Sequence, residues 1–102
     1  MLAVIGAMDE EIQLIKKRMT QKKVSEHAQI TVVTGKFKGT EIVLAQSGIG
    51  KVNATICTQM LIDLFNPGAL IFSGVAGGLL PNMLACDVII ASHVVQYDMD
   101  LT

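Results

Sequence analysis

Leu2-Ala3-Val4-Ile5-Gly6-Ala7-Met8-Asp9-Glu10-Glu11 is the stretch on which the fold turns. An uninterrupted apolar run ending in small residues predicts a strand over residues 2–7 that is buried on both faces. Three acids follow at once, and Met8, Ile12, Ile15 and Met19 then recur at helical spacing. That spacing predicts a helix over residues 9–19. Its acids stand in the first turn and Lys16, Lys17 and Arg18 in the last, the order that a helix dipole favours.

Downstream of this unit, residues 20–27 read as a polar connection. Residues 29–37 and 40–46 are β-rich and separated by Lys38 and Gly39, which predicts a hairpin. Ser47-Gly48-Ile49-Gly50 makes a tight turn into a second helix, from Lys51 to about Asn66, with a broad apolar face of Val52, Ile56, Met60, Leu61, Leu64 and Phe65. Asn66-Pro67-Gly68 stops it. Residues 69–73 are a second fully apolar strand, and Gly74-Val75-Ala76-Gly77-Gly78 is the loop at its carboxyl end. Residues 87–96 read as a third such strand, broken only by Ser92 and His93. Strands alternating with helices point to an α/β sheet with parallel elements.

Composition narrows the function classes. The chain has 102 residues, enough for one domain. Apolar residues make up 51% and charged residues only 17%, against roughly 25% charged in an average soluble domain. A domain this small exposes much of its surface, so the shortage of charge implies apolar surface covered by a partner or by more of the same protein. Eight basic against nine acidic residues give a net charge of −1, and aromatic content is 4%, which speaks against nucleic-acid binding. The longest apolar run, residues 1–8, is too short to span a bilayer and lacks the basic flank of a signal peptide. Cys57 and Cys86 form no C-x-x-C pair and are expected as reduced, buried thiols of a cytoplasmic protein.

Among candidate catalytic groups, the three acids separate on a helical wheel. Measured from Met8, Glu11 lies about 60° from the apolar stripe, Asp9 at about 100°, and Glu10 nearly opposite. Glu11 alone leans inward, at the carboxyl end of a buried strand, where open α/β sheets place their ligands. Partial desolvation there suits a carboxylate to general-base work. Ser47-Gly48-Ile49-Gly50-Lys51 fails as a phosphate loop, because Ala45 and Val52 stand where Gly and Ser or Thr are needed. Ala45 also rules out a nucleophile elbow. What remains is a Gly-rich turn whose amides face a polar ligand or merely turn the chain. The 74–78 loop admits the same two readings. His27 is expected to be solvated in a polar loop, and His93, inside a strand, to be a hydrogen-bonded core or interface residue. Asp98 and Asp100 share one face of an extended segment, but two oxygen donors make a poor metal site. No metal is expected.

The blocks quoted above, with Thr34-Gly35, Gly39-Thr40-Glu41, Lys51-Val52-Asn53-Ala54 and Gln96-Tyr97-Asp98-Met99-Asp100, occur in an order and spacing that resembles the amino-terminal part of the 5′-methylthioadenosine/S-adenosylhomocysteine nucleosidases, in the nucleoside phosphorylase superfamily. The resemblance covers all 102 residues. It implies a single three-layer α/β domain over residues 1–102, a central mixed β-sheet flanked by helices, incomplete at its carboxyl end. It implies hydrolysis of the N-glycosidic bond of the nucleoside substrate to release adenine, with no cofactor, by a homodimer. Glu11 matches the glutamate that activates the attacking water. Met8 and Ile49 match positions lining the 5′-alkylthio pocket, where soft apolar groups suit a thioether. Val75, Ala76 and Gly77 match the floor of the nucleoside site, and Leu101 a position reaching into the partner's pocket.

Two departures qualify the resemblance. Val75 stands where some relatives carry a serine that helps hold the water. The aspartate that protonates the leaving adenine, the glutamate that grips the ribose and most of the purine-stacking wall belong to a portion not matched here. General acid catalysis contributes about 10²–10⁴-fold, so the 102-residue chain alone is expected to be inactive, as half of a longer enzyme. The alternatives are a non-catalytic dimerisation or regulatory module, and another purine nucleosidase or phosphorylase of the superfamily. Arg18 is the only arginine, far from an anion site that a phosphorylase needs.

Overall fold

The computed structural model describes residues 1–74, 84 and 87–95. Strand β1 (Leu2–Gly6) is the buried run expected, and it lies between two parallel neighbours. Helix α1 (Asp9–Arg18) follows, with three acids in its first turn and three bases in its last. β2 (Thr20–His27), β3 (Ile30–Phe37) and β4 (Thr40–Gln46) form an antiparallel meander, and β4 pairs in parallel with β1. Helix α2 (Lys51–Phe65) leads to β5 (Ala69–Phe72), parallel to β1 on its other side. The sheet runs β2-β3-β4-β1-β5 and is mixed, as the resemblance implied.

Alternation along the central strands sets the three layers. Ala3, Ile5, Val32, Val43 and Ala45 face α2 and pack against Cys57 and Leu61. Val4, Val33, Ile42 and Leu44 face the opposite way, against Ile12 of α1 and Met19 just beyond it. Each helix therefore covers one face of β1, β3 and β4. α2 ends where Asn66 takes a left-handed conformation (φ 45°) and donates its amide to the Ile62 carbonyl, with Pro67 following. Cys57 is buried and unpaired, as expected, and Cys86 lies outside the described residues.

Three expectations are corrected. Residues 20–27 are a strand, not a connection. β2 is an edge strand with nearly every side chain in solvent, so it has no apolar face to produce a period of two. It is held by its ladder to β3 through a turn at Ala28 and Gln29, both at positive φ without the Gly or Asn that usually marks such a turn. His27 accordingly sits half-buried on β2, 3.0 Å from Ser25 Oγ and edge-on to Phe65 at the end of α2. Finally, residues 87–95 form no strand, and Gln96 lies outside the described residues. Val88 and Ile90 are 91% and 94% exposed, so this apolar run has neither a ladder partner nor a covering layer among the described residues. His93 is exposed beside Ser92 rather than buried in a strand.

Candidate active site

Three loops meet at the carboxyl ends of the parallel strands β1, β4 and β5, and main-chain bonds tie them together. The Ser47 amide donates to the Gly6 carbonyl at 2.8 Å, the Gly48 amide to Ala7 at 3.0 Å, and the Ser73 amide to Ile5 at 2.8 Å. These bonds continue the sheet ladder past the last strand residues and fix the loop positions relative to one another. Gly48 and Gly50 adopt φ of 86° and 98°, so the 47–50 turn needs glycine at both.

Glu11 stands at this junction. It is half-buried, while Asp9 and Glu10 are exposed, as the helical wheel predicted. Its Oε1 accepts the Met8 amide at 2.9 Å, which satisfies one of the orphan donors at the start of α1. The other oxygen, Oε2, points toward Gly74, and a Cβ built at Gly74 would come within 2.5 Å of it. Glycine at 74 therefore leaves the space that this carboxylate fills. Gly6 acts similarly beneath the helix, because a Cβ there would collide with Ile12 and crowd the Glu11 Cβ at 3.3 Å.

The structure brings Glu11, Met8 and the 47–50 turn together at one rim. Met8 precedes α1 as its cap residue and is partly exposed. Ile49 is 73% exposed, an apolar side chain held outward by the glycines on either side. Val75, Ala76, Gly77 and Leu101 lie outside the described residues, as do Asp98 and Asp100. Among the described residues no cluster of three or more His, Cys, Asp or Glu forms a metal site, and no helix is long and apolar enough to cross a membrane. The sequence reading missed two supports of Glu11. The Met8-x-x-Glu11 spacing is that of a capping box with methionine in place of serine. In the sequence Gly74 is only part of a permissive loop.

This arrangement is that of the phosphorylase superfamily, whose family profile matches residues 1–102, and the chain belongs to it. Within the superfamily the chain is similar to nucleosidases. It is 43% identical over 100 residues to the 5′-methylthioadenosine/S-adenosylhomocysteine nucleosidase of Geobacillus thermodenitrificans, a match covering 98% of this chain and 42% of that protein. The corresponding nucleosidase of Neisseria meningitidis, solved with methylthio-immucillin-A, superposes with a TM-score of 0.79 at 40% identity, over 81% of this chain and 36% of that one. A futalosine hydrolase mutant of Helicobacter pylori gives a TM-score of 0.71 at 32% identity, over 79% of this chain and 37% of that one. The chain spans less than half the length of these relatives.

Proposed function

We propose that this chain forms part of an N-ribosyl hydrolase that acts on 5′-methylthioadenosine and S-adenosylhomocysteine and releases adenine. The observation that carries the reading is the Glu11 carboxylate, half-buried at the ends of β1 and β5 and held by the Met8 amide. Cleavage of an N-glycosidic bond passes through an oxocarbenium-like state with positive charge at C1′. A carboxylate beside C1′ polarises the attacking water and stabilises that charge, and the fixed Met8 hydrogen bond holds it in place before the reaction begins. Met8 and Ile49 form the apolar rim for the 5′-alkylthio group. Val75, Ala76 and Gly77 make the floor of the nucleoside site. No metal or cofactor takes part.

The working unit in this reading is a cytoplasmic homodimer without nucleic-acid partners. Val52 and Ile56 stand one helical turn apart on the exposed side of α2 and supply an apolar face for assembly, and Leu101 reaches into the partner's pocket. Release of adenine from methylthioadenosine by the intact protein, followed chromatographically without phosphate, is the test. Glu11→Gln should lower turnover at least about 10²-fold with folding retained. Strict dependence on phosphate would point to a phosphorylase instead and overturn the reading.

A second reading rests on the exposed apolar side chains of β5 and residues 87–95, which suit an assembly module that does no chemistry. Adenine release lost on Glu11→Gln would exclude it, and a monodisperse monomer in light scattering would remove its basis.

A further inference from the structure

Asn53 lies in the Lys51–Ala54 block of the sequence, and the reaction proposed above does not use it. It is the third residue of α2, and its side chain turns back over the 47–50 turn. Asn53 Nδ2 donates to the Ile49 carbonyl at 2.8 Å. The same carboxamide lies over Gly48, where a built Cβ would come within 3.3 Å of Nδ2.

The main-chain ladder of α2 does not supply this bond. It begins at Gly50, whose carbonyl accepts the Ala54 amide at 3.1 Å, and Gly50 at φ 98° takes the chain out of the helix. The Ile49 carbonyl therefore stands one residue beyond the ladder, and the Asn53 side chain meets it in place of a main-chain amide. On the other flank Gly48, at φ 86°, is tied by its amide to Ala7. Glycine on both flanks gives the backbone its widest freedom. Ile49 itself is 73% exposed, so core packing does not fix its side chain. Its place is set through the main chain, by the Ala7 tie on one side and by Asn53 on the other.

Resting on the reading under Proposed function, we infer that Asn53 is a positioning residue for the apolar rim. By holding the Ile49 main chain it keeps the Ile49 side chain ready for the 5′-alkylthio group, and so lowers KM without touching the reacting atoms. A rim ordered in advance spares the substrate the cost of ordering it. Glu11 is held separately, by the Met8 amide and in the space above Gly74, and neither support involves Asn53. Loss of the Asn53 bond therefore weakens substrate binding and leaves the chemical step alone.

Two variants separate the bond from the helix that carries it. Asn53→Ala deletes the carboxamide, and alanine is the better helix former. Asn53→Asp keeps the shape but, once ionised, only accepts, so it turns lone pairs toward the Ile49 carbonyl. A carboxylate in the first turn of α2 also suits the helix dipole. Neither change should lower the urea midpoint. In the intact protein both should raise KM for methylthioadenosine about three- to tenfold, the scale of one net hydrogen bond. The kcat value, and the inhibition constant of adenine, which lacks the tail, should each stay within about twofold. An unchanged KM in either variant, a fall in kcat in place of the KM rise, or an equal rise in the adenine constant would overturn the inference while the nucleosidase reading stands. If the unaltered protein does not cleave methylthioadenosine, the nucleosidase reading falls and takes this inference with it.

Discussion

Among the described residues, the two edges of the sheet are finished in opposite ways. β2, at one end, carries Lys22, Lys23 and Glu26 into solvent, and its ladder to β3 is irregular between Thr20 and Lys23. Charge and a bulge are the usual devices that keep an edge strand from pairing with another chain. β5, at the other end, is a short run of Ala69, Leu70, Ile71 and Phe72, with Ile71 and Phe72 about half exposed. The apolar residues 87–95 are exposed as well. An edge strand that is polar on both faces needs only its ladder, whereas an apolar one gains stability only when something covers it. The low charge content of the whole chain is thus concentrated in the β5 side and absent from β2.

The largest effect expected within this comparison is at the centre, between the edges. Leu44→Ala removes a fully buried side chain beneath α1 and should cost about 2–5 kcal/mol in urea unfolding. Gly6→Ala should follow at about 1–3 kcal/mol, because the added methyl meets Ile12 and α1 must shift. It should also lower turnover, since Glu11 rides on the same helix turn. Phe72→Ala on the β5 edge should cost less than about 1 kcal/mol, in keeping with a half-exposed side chain. A Phe72→Ala cost equal to that of Leu44→Ala would break the comparison, since it would mean that β5 is covered in solution. Replacing Lys22 and Lys23 with valine should leave stability nearly unchanged and promote self-association by light scattering, and an unchanged particle size would show that charge is not what protects β2.

Cys57 provides a pH readout on the α2 face. Burial raises its thiol above the ordinary 9.0, so the folded chain keeps that proton at a pH where the unfolded chain loses it. This contribution to stability is complete below pH 9 and declines as pH rises beyond it. Urea midpoints measured from pH 8 upward should fall more steeply in the unaltered protein than in Cys57→Ala. Alkylation of Cys57 in the native state should be slow throughout that range.

Most of the fold was legible because burial leaves a pattern. β1, β5 and the hairpin of β3 and β4 emerged from apolar runs and turn residues, and α1 from its stripe and its charges. β2 was not legible, because a strand solvated on both faces has no periodicity and its turn at Ala28 and Gln29 lacks the usual residues. Residues 87–95 failed in the opposite direction. Their apolar run is the signature of a buried strand, but a strand forms only when a neighbour completes its ladder. Of the site, Glu11 could be singled out by its angle on the helix. The bond from Asn53 to Ile49 could not, since a carboxamide in the first turn of a helix faces solvent as readily as it reaches back along the chain.

The sequence by itself determined β1, α1, the β3–β4 hairpin, α2 and β5, the inward lean of Glu11 and the glycine turns. These follow from local rules: side-chain period, helix dipole, and the φ values that glycine permits. The tertiary structure alone decided that the Met8 amide and the space above Gly74 hold the Glu11 carboxylate, and that β2 is a strand. It also decided which apolar surfaces are covered. Each of these depends on distances between segments far apart in the chain, and such distances exist only once the sheet has closed its register.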